Sequence, residues 1–158
     1  MTTDIRQYVL KIAEAAKAAY YTLATASTAQ KNNALIHMAE LLQKHKNAIL
    51  AANAEDMEKA TAKGLDSALL DRLKLNEKTI DSMSDGLRQI AALADPVGEM
   101  DEFRTRPNGL KIGKMRVPLG TIGIIYESRP NVTLDAAALC LKSGNSCILR
   151  GGSEAFQS

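Results

Sequence analysis

Residues 117–154 read VPLGTIGIIYESRPNVTLDAAALCLKSGNSCILRGGSE, and the fold of the chain turns on them. Thr121–Tyr126 is an apolar run rich in β-branched residues, which suits a strand buried on both faces. A polar loop follows at Glu127–Asn131. Val132–Lys142 then reads as a helix, with Leu134, Ala138, Leu141 and Cys140 on one side. Gly144 stands just past its end, where a left-handed cap is wanted. Ser146–Leu149 is a second apolar strand, and it runs into Arg150-Gly151-Gly152-Ser153-Glu154. Strand, helix and strand within so short a stretch make a βαβ unit with parallel strands. Ligands of open parallel sheets bind outside the carboxyl ends of the strands. The two polar loops, Glu127–Asn131 and Arg150–Glu154, are therefore expected to lie side by side and form a site.

Upstream of this unit the pattern is helical. Ile5, Val9, Ile12, Ala16 and Tyr20 recur at helical spacing and predict an amphipathic helix over about 4–25. Ser27 with Gln30 is a capping box, and the helix behind it carries Leu35, Met38, Ala39 and Leu42 as a stripe. A third helix is expected from about Lys46 to Lys63, stopping at Gly64, and a short one over Ser67–Leu73. Asn76 caps another, with Ile80, Met83, Leu87, Ile90 and Ala94 apolar, that must end before Pro96. From Asp95 strands replace helices. Phe103–Arg106 and Leu110–Val117 flank Pro107-Asn108-Gly109 and read as a β-hairpin. Its alternation slips at Gly113, which predicts a bulge there. The expected organisation is a helical region over 1–98, a hairpin of oligomerisation type over 99–118, and a cofactor-binding βαβ start over 119–158. The fold class is α/β. Two parallel strands do not complete a doubly wound sheet, so further strands are expected from more chain or from a partner. Gly151-Gly152-Ser153 reads as the start of another helix, capped by Ser153.

Bulk properties narrow the function classes. A net charge of +2 gives no argument for nucleic acid or a membrane surface. The chain has no Trp and only 4% aromatics, so base-stacking platforms are not expected. The polar N-terminus is no secretory leader, and no apolar run is of membrane-spanning length. Cys140 and Cys147 fit a reducing, cytoplasmic setting and read as small buried hydrophobes, a disulfide between them being the lesser alternative. His37 and His45 lack partners at metal-ligand spacing and read as solvated, so no metal is expected.

The chemistry-bearing residues fall in the two strand-end loops. Asn131 at a helix start has two readings: its carboxamide donates to a developing oxyanion, or it or Thr133 merely caps the helix, and spacing favours the cap. Arg129 either grips a phosphate or carboxylate, or is a solvated surface residue. Glycines at 151 and 152 let a ligand approach the backbone, although this is no G-x-G-x-x-G fingerprint and a plain strand-to-helix turn fits as well. No Ser/His/Asp set is visible, and neither cysteine sits in a strand-end loop.

The residues of this stretch closely resemble the signature region of the γ-glutamyl phosphate reductase (glutamate-5-semialdehyde dehydrogenase) family, within the aldehyde dehydrogenase superfamily. The Tyr126–Asn131 motif is specific to that family. The resemblance extends upstream through Asn53-Ala-Glu-Asp56, Gly64-Leu65, Leu70-Asp71-Arg72-Leu73 and Leu93-Ala-Asp-Pro-Val-Gly98. It implies NADPH-dependent reduction of γ-glutamyl phosphate to glutamate 5-semialdehyde and phosphate, in proline biosynthesis, through a cysteine thioester. Asn131 matches the superfamily asparagine that holds the oxyanion. Arg150 takes the place of a lysine near the adenosine ribose; a guanidinium there suits a 2′-phosphate, hence NADP. Gly151, Gly152, Ser153 and Glu154 are implied to lie along the cofactor, and Glu127, Ser128, Arg129 and Pro130 to line the cofactor and substrate cleft. Homo-oligomers are implied as well.

The resemblance has one large departure. Family chains are more than twice as long, and their catalytic cysteine lies in a later domain, at a position that neither Cys140 nor Cys147 matches. The 158 residues are thus expected to be the N-terminal part of such an enzyme, inactive unaided. The alternative reading is a non-catalytic module acting in oligomer assembly.

Overall fold

A computed structural model describes residues 2–158, with side chains from residue 4. Five helices come first: α1 (Thr2–Leu23), α2 (Thr28–Lys44), α3 (Lys46–Ala62), α4 (Ser67–Leu73) and α5 (Glu77–Ala92). A hairpin of β1 (Met100–Thr105) and β2 (Lys111–Met115) follows. The last part is β3 (Thr121–Ile125), α6 (Pro130–Lys142) and β4 (Ser146–Arg150), then a 3₁₀ turn over Ser153–Ala155. β1 and β2 pair antiparallel, and β3 and β4 pair parallel, so the βαβ unit read from the sequence is present.

The local signals act as their chemistry requires. Ser27 accepts the Gln30 N–H while the Gln30 side chain accepts from the Ser27 N–H, a reciprocal capping box that starts α2. Asp66 and Asn76 cap α4 and α5 through the N–H groups of Leu69 and Thr79. Gly64 and Gly144, at the ends of α3 and α6, have φ of 73° and 72°, the left-handed conformation that glycine adopts without strain.

The core forms where α2, α5 and α6 meet. Leu35, Ala39, Leu87, Ala91 and Ala138 are buried together, with Met38, Ile90, Leu134 and Leu141 packed around them. A neighbouring cluster gathers Leu75, Ile80 and Met83. Alanines at 39, 91 and 138 keep the helix surfaces flat and let the three helices approach closely. Ala94 lies past the end of α5 at Ala92 and is exposed, so the helix stops before the last position of its apolar stripe.

Several expectations are corrected. The stripe of α1 is not buried along its length: Ile5 and Val9 are exposed, and only Ile12, Ala16 and Tyr20 are half-buried. α1 packs against β4 and touches β3, so the side chains near its start pass beyond the sheet. β3 is not buried on both faces. It alternates between exposed and half-buried residues, because α1 and α6 both lie mainly against β4. The hairpin bulge falls on β1 rather than at Gly113. Asp101 pairs with Lys114 and Arg104 with Ile112, so the extra residue lies between 101 and 104, where Glu102 takes a φ of 54°. Gly113 sits across from the bulge, and the Phe103 ring occupies the space its side chain would fill. The expected helix start at Ser153 is only a 3₁₀ turn flanked by Gly152, and Ser153 caps nothing.

Two lysines are buried, although charged residues are usually solvated. The Lys31 ammonium lies 2.6 Å from Asp95 Oδ2, with its side chain 1% exposed. Lys142 donates to Asn32 Oδ1 at 2.6 Å and to the Ala91 carbonyl at 2.9 Å. Burial works to raise the Asp95 pKa, but hydrogen bonds from Lys31, Thr28 and the Val97 N–H, with the Lys31 charge, outweigh it and hold the carboxyl below its usual value.

Asp95→Asn is expected to destabilise the fold by roughly 3 kcal/mol, because it strands the Lys31 ammonium without a counter-charge. Since the folded pKa is depressed, the wild-type advantage is full above the ordinary aspartate value and fades as pH falls through the lower folded value. Urea denaturation of both proteins across an acidic pH series should show the gap closing.

Candidate active site

Both loops lie at the carboxyl ends of β3 and β4, which are in register from Thr121 opposite Ser146 to Ile125 opposite Arg150. The pairing is carried one residue further by the Tyr126 N–H, which donates to the Arg150 carbonyl at 3.1 Å. This register sets Glu127–Ser128 beside Gly151–Gly152.

An open cleft of about 630 Å³ lies over these strand ends. Ile125, Tyr126, Glu127, Ser128, Arg150, Gly152 and Glu154 form one side of it, and Leu65 and Leu69, at and before α4, form the other. An adjoining cleft of about 260 Å³ takes in Arg129, Pro130 and Gly151, with Tyr126 and Gly152 shared between the two. Ser153 faces a third hollow beside Lys59 of α3 and Lys63 just past its end. Asn131 lines none of these clefts; it is half-buried on the first turn of α6.

The cap reading of Asn131 does not hold. Arg129 is the N-cap residue, it makes no side-chain cap bond, and Pro130 occupies the first helical position. Proline there sets φ for a helix and lacks the N–H that would go unpaired. Asn131 is left to face Asp135, one turn on. Burial raises the Asp135 pKa, and the hydrogen bond from Asn131 partly offsets this. Thr133 is no cap either. Its hydroxyl meets the Tyr126 hydroxyl at 2.5 Å and ties the end of β3 to α6.

Side-chain bonds clip the loops together. Ser128 Oγ donates to Glu154 Oε2 at 2.7 Å, and Ser153 Oγ donates to Glu154 Oε1 at 3.0 Å. The Ser128 bond is the main reason the Glu154 pKa lies below its usual value, with its own backbone N–H, Ser153 and the Lys63 charge adding to it. Arg72 of α4 donates to Glu127 Oε2 at 2.7 Å, which joins the two walls of the larger cleft at the protein surface. Arg129 and Arg150 are both exposed.

Sequence reasoning gave no site role to Leu65, Leu69, Arg72 or Thr133. The family-like strings at 64–65 and 70–73 were the one signal pointing to α4, and they carry no local chemistry that would place it here. The Cys140 thiol is not activated. Cys140 and Cys147 are both free, and burial, with the nearby Cys147 adding to it, pushes the Cys140 pKa up. Among the described residues no three His, Cys, Asp or Glu side chains form a metal-ligand group, and no helix is long and apolar enough to cross a membrane.

Comparison with solved structures identifies relatives. The crystal structure of γ-glutamyl phosphate reductase from Thermotoga maritima matches 94% of this chain at 47% identity, with a TM-score of 0.90. The chain belongs to the γ-glutamyl phosphate reductase family. The reductase of Saccharomyces cerevisiae matches 93% of the chain at 35% identity and a TM-score of 0.89. A probable aldehyde dehydrogenase from Listeria monocytogenes EGD-e shares the fold at 20% identity and a TM-score of 0.66. The chain spans 36% and 38% of the length of the two reductases. No family model matches it. The reductase family and the aldehyde dehydrogenase-like α/β fold thus agree with the reading of residues 117–154.

The packing around Gly152 makes a prediction. Its φ of −67° suits any residue, so only space restricts it. A Cβ there would fall on Ser128 Oγ and lie 2.7 Å from Glu154 Oε2. Gly152→Ala should therefore open the Ser128–Glu154 clip and destabilise the protein by about 1–3 kcal/mol. A double-mutant cycle checks this: in a Ser128→Gly background the penalty should shrink by more than half, a non-additivity expected of residues in contact.

Proposed function

We propose that this chain supplies the cofactor-binding wall and the oxyanion-holding asparagine of an NADPH-dependent γ-glutamyl phosphate reductase. The observation that carries the reading is the register of β3 and β4. It brings Glu127 and Ser128 together with Arg150, Gly152 and Glu154 in one cleft at the carboxyl ends of parallel strands, where nucleotides bind in open α/β sheets. The solved reductase that matches at 47% identity supports the substrate class.

The residues present suit a dinucleotide phosphate. Gly152 has no room for a Cβ, and a glycine backbone there gives a ligand close access to the main chain. Arg150 stands exposed at the end of β4, where its planar fork matches the 2′-phosphate of NADP. Both Glu154 oxygens accept from serine hydroxyls, which draws that carboxylate into the loop. The exposed Glu127 and Arg129 line the openings through which ligands enter. NADPH, when bound, supplies the hydride. The resemblance gives Asn131 the task of donating an amide N–H to the acyl oxygen as it takes on negative charge, a contribution usually worth several kcal/mol in such reactions; in this chain the amide faces Asp135 at the first turn of α6, beside the clefts and not lining them, and its second N–H is the one left for that oxygen. The cysteine that forms the thioester lies elsewhere in the full-length enzyme, since burial pushes the Cys140 pKa up and Cys147 lies within β4, away from the strand-end loops. Such an enzyme works in the cytoplasm, in proline biosynthesis.

The hairpin favours a second role, in assembly. Every residue of β1 and β2 is exposed, and Met100, Phe103, Ile112 and Met115 present apolar side chains to solvent. Exposed apolar patches of this kind mark contact surfaces, and a second copy of the enzyme is the proposed partner.

The complete gene product should oxidise glutamate 5-semialdehyde with NADP and phosphate, followed by NADPH absorbance. Asn131→Ala should lower kcat by about 10²-fold. Arg150→Ala should raise KM for NADP by about tenfold and leave KM for NAD nearly unchanged. No semialdehyde oxidation and no NADP binding would overturn the reading.

A further inference from the structure

α3 touches no reacting group, yet it holds two buried polar side chains, Asn53 and Asp56, each 2% exposed. Three residues apart on a helix, they lie on one face. Asp56 has no ion-pair partner among the described residues. Its carboxylate accepts instead from the loop that follows β4. The Gln157 N–H reaches both oxygens, at 3.2 and 3.0 Å. The Ser158 N–H and hydroxyl both reach Oδ2 at 2.8 Å. Asn53 grips the other wall. It donates to the Leu73 carbonyl at 2.9 Å and accepts from the Leu75 N–H at 2.7 Å, just past α4. Its amide also lies 3.4 Å from Ser158 Oγ.

A buried carboxylate is costly, and packing alone would favour an apolar side chain. Charge-assisted bonds to consecutive backbone N–H groups offset the cost and fix those groups in direction. The two residues thus tie both walls of the larger cleft, Leu65 and Leu69 near α4 and Arg150–Glu154 after β4, to one rigid helix. We propose that Asp56 is a positioning residue for the cofactor: it anchors the segment behind Arg150–Glu154 and so sets where those groups meet NADP. This rests on the reading of the cleft as the NADP site.

The test uses the complete gene product and NADP itself. Asp56→Asn keeps size and shape but turns an amide donor toward N–H groups that already donate. The dissociation constant for NADP, measured by isothermal titration calorimetry, should rise by about tenfold. Amide hydrogen exchange should quicken in the peptide covering 150–158 and stay at the wild-type rate in α2 and α5. Asp56→Glu, which keeps the charge, should recover part of the affinity. Ser158→Ala, which removes one donor and is mild enough to fold if Asp56→Asn is not, should weaken NADP by about threefold. Unchanged NADP affinity in Asp56→Asn and Ser158→Ala overturns the proposal, and so does exchange that quickens through the whole protein. Arg150→Ala separates the two readings. If it weakens NADP binding and Asp56→Asn does not, only the positioning role fails; if neither weakens it, the cofactor cleft fails as well.

Discussion

The buried Lys142 ammonium holds the helical layer to the βαβ unit, a second buried ammonium, Lys31, braces the same corner from within the helical layer, and the placement of the candidate site follows from them. Lys31 at the start of α2 bonds to Asp95 just past α5, and Lys142 at the end of α6 bonds to Asn32 and to the Ala91 carbonyl. Consecutive residues of α2, 31 and 32, therefore serve both lysines. The three helix ends meet at one corner above the core of Leu35, Ala39, Leu87, Ala91 and Ala138. In a low-dielectric corner a bond of this kind has to be satisfied in full, since a half-made one costs more than none. That demand gives the corner a single arrangement where apolar packing alone would accept several.

α6 is also the crossover between β3 and β4. Pinning it to α2 and α5 fixes the pair of strands, and through them the loops at their ends. From there short contacts carry the geometry outward. The Tyr126–Thr133 bond ties β3 to the first turn of α6, and the Ser128–Glu154 bond ties one loop to the other. The Arg72–Glu127 pair and the buried pair on α3 bring the helical region into the same cleft. The helices before residue 96 are thus part of the site's frame. That agrees with their close match to the solved reductases over nearly the whole chain.

Local chemistry was legible wherever neighbours in sequence decide the outcome. The capping box at Ser27, the caps at Asp66 and Asn76, the glycine stops and the βαβ pattern need only a few adjacent residues, and each formed. Reading failed where distant residues compete. Asn131 read as a cap, but Pro130 already starts α6, and the Asp135 carboxyl takes the amide. The slip at Gly113 was real, but the partner strand carries the bulge, because the Phe103 ring takes the space over the glycine. α1 showed its stripe correctly, yet how much of it is covered depends on how far the sheet reaches beneath it.

The sequence alone determined the α/β class, the two loops at the strand ends and the family, because hydrophobic period, turn chemistry and the Tyr126–Asn131 motif are all local in the chain. Only the tertiary structure decided that Lys31 and Lys142 are buried, that Arg72 meets Glu127, and that Asp56 receives the backbone beyond Glu154. Those contacts join residues 51 to 110 positions apart. A lysine or aspartate with no nearby partner in sequence looks solvated. Whether it is buried depends on which donors and acceptors the packed helices bring to it, and only the assembled fold sets that.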